Sequence, residues 1–170
     1  IAVLDGGHLD AGRGASGELD LSGSALTLLV RFQNPAGDWE THGILSKYGG
    51  HERLVFNLYA YSGDLGFELG TTEGLFRTTV AAAEIGLTAW HDTVARWDGR
   101  RLELMVDGVV RAQTTAGGRL REGNREPVLI GAYSIDGKAM GPAPIRIDTA
   151  AIWSRALDDA EVARLSGAGP

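Results

Sequence analysis

The stretch AWHDTVARWDGRRLELMVDG (residues 89–108) constrains the fold more than any other, because two strand-like runs flank a tight turn signal. Asp98-Gly99 joins the runs, and an Asp-Gly pair favours a type I′ hairpin turn, whose two central residues both need positive φ. Beyond the turn, Leu102, Leu104 and Val106 alternate with more polar residues. We therefore expect one face of this strand to be buried and the other to face solvent or a ligand.

Similar short runs follow one another along the chain, and its 25 glycines recur every several residues between them. Even spacing of this kind is typical of many strands joined by tight turns. It predicts an all-β fold, a jelly-roll sandwich of two antiparallel sheets. The predicted strands are residues 19–21, 25–33, 43–47, 54–59, 65–69, 76–80, 93–97, 102–106, 128–132 and 145–152.

One short C-terminal helix is predicted after these strands. Asp158 suits the N-cap position, and Glu161 three residues later completes a capping box. Leu157 and Val162 have the spacing of a hydrophobic staple across the helix start. Gly167 is placed to end the helix, which we expect to be structural.

The composition limits the classes of partner. A length of 170 residues suits a single domain with one core. The net charge of −6 and the scattered basic residues argue against a nucleic-acid partner. No apolar run approaches the ~18 residues of a membrane span, which argues against a membrane partner. Cysteine is absent, so disulfides, thiolate catalysis and cysteine-bound zinc are excluded.

Two predicted hairpin bends place three polar side chains in a row. A bend over residues 61–64 sets Asn57 opposite Glu68, and a bend over residues 71–74 sets Glu68 opposite Arg77. Tyr59 shares this face, whereas the alternate residues of the same strands are apolar and suit the core. A carboxylate, a guanidinium and an amide about 5 Å apart suit the adjacent hydroxyls of a sugar.

Further residues are candidates for the same site. Asp92 and Arg96 have the phase to extend the polar row if the connection of residues 81–89 sets a suitable register. Aromatic rings supply the apolar platform that sugars also need, and the candidates are Tyr59, Trp39, Tyr48 and Tyr133. The alternative interpretation of the row is a cross-strand salt bridge on a solvated face, worth at most about 1 kcal/mol.

Several runs resemble one known family. WHDTVARWDGRRLELMVDG (90–108) is similar to the core motif of laminin G-like modules in the concanavalin A-like lectin and glucanase superfamily. IRIDTAAIWSRALDDAEVARL (145–165) resembles the closing strand and helix of these modules, and LTLLVRFQNP and ILSKYG resemble their opening strands. The resemblance implies the two-sheet jelly roll and a structural role for His91. It leaves function open, because the superfamily contains sugar-binding modules, adhesion modules and glycosidases.

A narrower resemblance favours one function. LVFNLYAYSGDLGFELGTTEGLFRT (54–78) and GGRLREGNREPVLIGA (117–132) look like the sandwich modules attached to fructan-cleaving glycoside hydrolases. This implies a secreted, non-catalytic module that binds terminal fructose of levan or inulin through Glu68, Arg77 and Asp92. It also implies that the chain is excised from a larger protein with an attached catalytic domain.

Three other possibilities accompany this interpretation. Laminin G-like modules often hold a structural calcium ion, and Asp5 and Asp148 resemble the residues that bind it, although no cofactor is expected to be required. A protein-binding adhesion domain of the same fold stays open. A small glycosidase or lyase is disfavoured, because the Glu-x-Asp-x-x-Glu strand of the retaining enzymes is absent.

Overall fold

The computed structural model of the protein describes residues 2–37, 40–86 and 88–166, which form two six-stranded antiparallel sheets. Sheet A contains, in spatial order, β1 (Ala2–Asp5), β14 (Pro144–Trp153), β3 (Leu26–Gln33), β8 (Trp90–Trp97), β9 (Arg101–Val106) and β10 (Val109–Thr115). Sheet B contains β2 (Leu9–Gly12), β11 (Val128–Ile130), β4 (His42–Lys47), β5 (Phe56–Tyr61), β6 (Asp64–Thr71) and β7 (Gly74–Ala81). The predicted all-β sandwich is confirmed.

Three smaller elements complete the fold. β12 (Tyr133–Ile135) and β13 (Lys138–Met140) form a two-stranded ribbon, and a 3-10 turn spans Ala82–Glu84. The helix α1 (Asp159–Ser166) follows β14, as predicted. In the described part of the chain, no helix is long and apolar enough to cross a bilayer.

One predicted strand is not a strand in the structure, and five strands of the structure were not predicted. Residues 19–21 are not a strand: the Leu19 amide donates to the Arg13 carbonyl and the Asp20 amide to the Gly17 carbonyl, which folds the segment into turns. The sequence did not predict β1, β2, β10, β12 or β13. Every residue of β13 is exposed, as are most residues of β2 and β10, so these strands lack the apolar alternation that predicts a strand.

Tight turns join the hairpins, but type I′ geometry does not occur at the pair for which the sequence predicts it. Ser62-Gly63, Asp107-Gly108 and Asp136-Gly137 each have positive φ at both central residues, as a two-residue type I′ turn requires. The hairpin at Asp98-Gly99 is confirmed, but the predicted type I′ geometry is wrong because Asp98 does not have a positive φ. Its carboxylate instead accepts hydrogen bonds from the amides of Arg100 and Arg101, at 2.9 and 2.7 Å.

The main core lies between the two sheets. Its largest fully buried side chains include Trp97, Phe32, Phe56 and Phe67. The Trp97 indole nitrogen, which would otherwise be unpaired in this core, donates to the Ala116 carbonyl at 2.7 Å. The inward residues of β5 and β6 are fully buried in the predicted phase, so the alternate residues of these strands point to the outer face of sheet B.

A second cluster lies on the outer face of sheet A, beneath α1. It contains Leu29, Val94, Met105, Leu157 and Val162. The expectation that this face of β9 is open to solvent or a ligand is therefore wrong: Met105 is 6% exposed because the helix covers it. Burial of these five side chains holds α1 on the sheet.

The predicted capping box begins α1. The Glu161 amide donates to the Asp158 carboxylate at 2.7 Å, and the Asp158 amide donates to the Glu161 carboxylate at 2.9 Å. Leu157 and Val162 are each 2% exposed and share one cluster, as the staple predicts. The predicted helix end at Gly167 lies outside the described residues.

Candidate functional site

The predicted polar row lies on the outer face of sheet B. Asn57 on β5 pairs with Glu68 on β6, and Glu68 pairs with Arg77 on β7. Both registers are the ones that the turn lengths predict, because Ser62-Gly63 and the turn after Thr71 are each tight. Three polar side chains from three neighbouring strands therefore meet at one place.

An ion pair connects two members of the row. The Arg77 Nε donates to Glu68 Oε1 at 2.9 Å, and Nη2 donates to the same oxygen at 2.5 Å. The Glu68 side chain is 4% exposed and the Arg77 side chain is 54% exposed. The hydrogen bond to Glu68 raises the pKa of Arg77, so the guanidinium stays charged. Asn57, Glu68 and Arg77 thus form the floor of the site, with the carboxylate at its buried part and the guanidinium at its exposed edge.

Asn57 contributes an acceptor that has no protein partner. Its Nδ2 donates to Glu68 Oε2 at 3.5 Å, whereas its Oδ1 is buried without a hydrogen bond. Exchanging the two amide atoms would place Oδ1 against the Glu68 carboxylate, so the orientation follows from the neighbouring charge. A buried acceptor without a donor costs free energy unless a ligand or water supplies the donor.

Three tyrosines form the apolar wall. The rings of Tyr48 and Tyr133 meet edge to face with their centroids 5.2 Å apart, and His51 packs on Tyr48 at 5.8 Å. Tyr59 lies between this wall and the floor, and its ring rests on Gly66, where an added Cβ would come within 2.4 Å of the ring. Burial and then the Glu68 charge raise the pKa of Tyr59 to about 12, so its hydroxyl remains a neutral donor.

Wall and floor together enclose a cleft of about 330 Å³. The cleft is lined by Thr41, His42, Tyr48, His51, Asn57, Tyr59, Ala60, Tyr61, Glu68, Arg77 and Tyr133. Three of the residues predicted as a platform, Tyr48, Tyr59 and Tyr133, thus line the same cleft as the polar row, and their role as a platform stays a prediction. Trp39 lies outside the described residues.

A buried hub outside the cleft positions the wall. The Asn124 Nδ2 donates to the carbonyls of Tyr48 and Arg53, both at 2.7 Å, which fixes the loop that carries Tyr48 and His51. The Gly49 amide donates to the Ser134 carbonyl at 2.9 Å, which ties the same loop to β12 and hence to Tyr133. The rings therefore belong to a hydrogen-bonded framework. The sequence did not indicate this hub, because Asn124 acts across about 70 residues.

The chemistry of the cleft favours binding over hydrolysis. Glycosidases place two carboxyl groups about 5 to 9.5 Å apart around the scissile bond. Among the described residues that line the cleft, Glu68 is the one acidic side chain, and Arg77 neutralises it. The described lining of the cleft thus combines one ion-paired carboxylate with an aromatic wall.

The structure does not bring Asp92 and Arg96 into the row. Both lie on β8, which belongs to sheet A, because the connection after β7 crosses from one sheet to the other. Asp92 pairs with Arg31 at 3.1 Å, and burial raises its pKa. Arg96 binds Glu103 at 2.7 Å on the opposite side of the sandwich. The expected extension of the row is therefore wrong.

The two predicted calcium ligands are not brought together either. Asp5 pairs with Pro144, four residues from Asp148 along β14, which corresponds to about 13 Å. Asp148 lies 3.8 Å from the Arg31 guanidinium, and the side chain of Asp5 lies outside the described part of the structure. No three acidic or histidine side chains among the described residues group as a metal site. Calcium stays a prediction, tested by melting with and without a chelator.

His91 lies where a structural residue is expected. Its side chain is 5% exposed, and its two ring nitrogens lie 2.9 Å from the Asp107 carboxylate and 2.9 Å from the Gly86 carbonyl. These contacts join β8 to the turn after β9 and to the connection before β8. The ring is thus fully engaged within the fold.

Known structures share this fold at low sequence identity. The CBM40 module of the Ruminococcus gnavus IT-sialidase, solved bound to α2,3-sialyllactose, is 17% identical, with 98% of this chain and 96% of that chain covered and a TM-score of 0.73. The leech intramolecular trans-sialidase is 16% identical over 100% of this chain and 27% of its own, with a TM-score of 0.74.

The binding domain of Paraclostridial Mosquitocidal Protein 1 is a third similar structure. It is 14% identical, with 94% of this chain and 42% of that chain covered and a TM-score of 0.66. This chain thus spans less than half of that domain and about a quarter of the leech enzyme. At these identities the likeness shows the fold alone, and no curated protein sequence matches the chain.

A family model matches residues 8–163, from the start of β2 into α1. This range includes both halves of the sandwich and every residue that lines the cleft. The chain therefore belongs to the Concanavalin A-like lectin/glucanases superfamily.

Proposed function

We propose that this domain is a secreted, non-catalytic carbohydrate-binding module that recognises terminal fructose of levan or inulin. In this proposal it holds an attached glycoside hydrolase on its polysaccharide. The observation that carries the proposal is the floor of the cleft, where the unpaired Oδ1 of Asn57 lies beside the buried Glu68 and the half-exposed Arg77. The cleft thus contains an unpaired hydrogen-bond acceptor, a carboxylate and a cationic donor next to one another.

The polar groups match a sugar with adjacent hydroxyls. Glu68 Oε2 and Asn57 Oδ1 accept hydrogen bonds from hydroxyl protons, and the remaining Arg77 donors point to hydroxyl oxygens. Tyr48 and Tyr133 cover an apolar face of the ring. A sugar satisfies these donors, acceptors and rings at once.

The charge balance favours a neutral sugar. Glu68 is buried and already neutralises Arg77, so a sugar carboxylate would approach a buried negative charge without a free cation to pair with it. The R. gnavus module was solved with an acidic sugar, sialyllactose. We expect this chain to differ from that module and to prefer uncharged fructose units.

The test is calorimetric titration of the domain with fructose, levan and inulin. Glucose, galactose, xylan and α2,3-sialyllactose serve as controls. Saturable heat with fructose or its polymers alone supports the proposal, and saturable heat with sialyllactose alone contradicts the charge argument. Flat traces with every sugar would overturn the proposal and favour the protein-adhesion alternative.

Variants connect the binding to the site. Glu68→Gln and Arg77→Ala should each weaken binding at least ten-fold, because each removes a charged hydrogen-bonding group. Arg111→Ala is the matched control, since Arg111 is an exposed arginine on β10, the edge strand of the other sheet. Equal sugar affinities for Arg77→Ala and Arg111→Ala would show that the polar row does not bind the sugar.

A further inference from the structure

The cleft extends beyond the polar floor, to a residue that the sequence did not indicate. Asn57, Tyr59 and Tyr61 alternate along β5 and line the same cleft. The predicted strand ends at residue 59, whereas β5 continues for two more residues and places Tyr61 on the strand. Tyr61 lies four residue steps beyond Asn57, about 13 Å along the strand, which is longer than a single sugar ring.

The two ends of the cleft differ in character. At the floor, Glu68 is 3% exposed and Tyr59 is 9% exposed. At the other end, Tyr61 is 55% exposed, and Thr41, which also lines the cleft, is exposed as well. A ring bound at the floor therefore leaves an aromatic surface open next to it.

A tight turn sets the backbone at Tyr61. Tyr61 pairs with Asp64 across the Ser62-Gly63 turn, whose two residues have φ of 53° and 90°. This type I′ turn closes the hairpin directly after the tyrosine. An aromatic ring on a fixed strand end loses little conformational entropy on binding, as few side-chain torsions remain to be ordered.

We infer that Tyr61 forms an outer subsite, which stacks on the second sugar ring of an oligosaccharide whose terminal ring occupies the Asn57, Glu68 and Arg77 floor. The inference rests on the proposed function, because it needs a sugar at that floor. The domain then binds an oligosaccharide about two- to ten-fold more tightly than the single sugar, as expected for one additional aromatic contact.

The experiment compares fructose with inulotriose by calorimetry on the wild type, Tyr61→Ala, Tyr61→Phe and Val109→Ala. Val109 is the control, because it is 49% exposed and also flanks a type I′ turn, but lies on sheet A away from the cleft. Tyr61→Ala should keep the fructose affinity and reduce the inulotriose affinity to that of fructose. Tyr61→Phe and Val109→Ala should keep both affinities.

The outcomes separate this inference from the proposed function. If wild-type protein binds both sugars and Tyr61→Ala leaves their ratio unchanged, or weakens both alike, the outer subsite is overturned while the module keeps its function. If wild-type protein binds neither sugar, the proposed function fails and the subsite fails with it. Unchanged melting temperatures across the four proteins confirm that the variants are folded.

Discussion

The two outer faces of the sandwich carry the same pair of residues in different surroundings. On sheet B, Glu68 pairs across strands with Arg77. On sheet A, Glu103 pairs across strands with Arg96. Both glutamates are buried, at 3% and 6% exposed, and both bind two nitrogens of their arginine.

The difference lies in what covers each pair. Arg96 also donates to the Leu157 carbonyl at 2.8 Å and to the Asp159 carboxylate at 2.7 Å, so its side chain is 14% exposed. The Arg77 side chain, by contrast, is 54% exposed. The same cross-strand pair is thus a structural tie beneath a helix on one face and an accessible site on the other.

The largest expected effect on stability comes from removing the covered arginine. Arg96→Ala should lower the free energy of unfolding by about 3 kcal/mol, because the buried Glu103 loses both hydrogen bonds from Arg96 and keeps the more exposed Arg101 at 3.3 Å. Arg77→Ala should cost only about 1 kcal/mol, since removing the half-exposed Arg77 side chain opens Glu68 to water in the cleft. Urea denaturation measures both values. Equal losses of unfolding free energy would show that the covered pair and the exposed pair stabilise the fold equally.

A methyl group at Gly66 should disturb the open face. Gly66→Ala places a Cβ 2.4 Å from the Tyr59 ring, so the ring must move toward the cleft at a cost of about 2 kcal/mol. Sugar affinity should fall at least ten-fold by calorimetry. Gly7→Ala is the control, because nothing lies within 4 Å of its added Cβ. Unchanged binding in Gly66→Ala would mean that Tyr59 does not shape the site.

Loss of the helix cap should affect the covered face alone. Asp158→Ala removes the carboxylate that accepts the Glu161 amide, and should cost about 1 kcal/mol in urea denaturation. Sugar binding should be unaffected, since α1 lies on the opposite side of the sandwich. A parallel loss of affinity would show that the two faces are coupled.

One further effect should appear only at alkaline pH. Folding raises the Tyr59 pKa from 10.0 to about 12, so this tyrosine stabilises the fold fully below pH 10. The unfolded chain ionises first, and the contribution is lost as pH rises from 10 toward 12. Ultraviolet titration should show a late-ionising tyrosine that is absent from Tyr59→Phe. A wild-type titration curve in which every tyrosine ionises near pH 10 would contradict the raised pKa of Tyr59.

The sequence predicted the floor of the site because local turns set it. Tight turns after Tyr61 and Thr71 determine the register, and the period of two then places Asn57, Glu68 and Arg77 on one face. The same reasoning failed for Asp92, since the chain changes sheets between β7 and β8. A longer connection does not determine how the two strands that it joins are aligned. The alternation of residues along a strand also cannot show which sheet the strand joins.

Alternation and turn chemistry in the sequence by itself thus determined the two-sheet class, the hairpin registers, the polar row and the helix cap. These depend on contacts between residues close in the chain, for which spacing decides geometry. The tertiary structure decided which glutamate–arginine pair is covered, and it assembled the tyrosine wall through Asn124 and β12. Those outcomes depend on packing between distant segments, which no local pattern encodes.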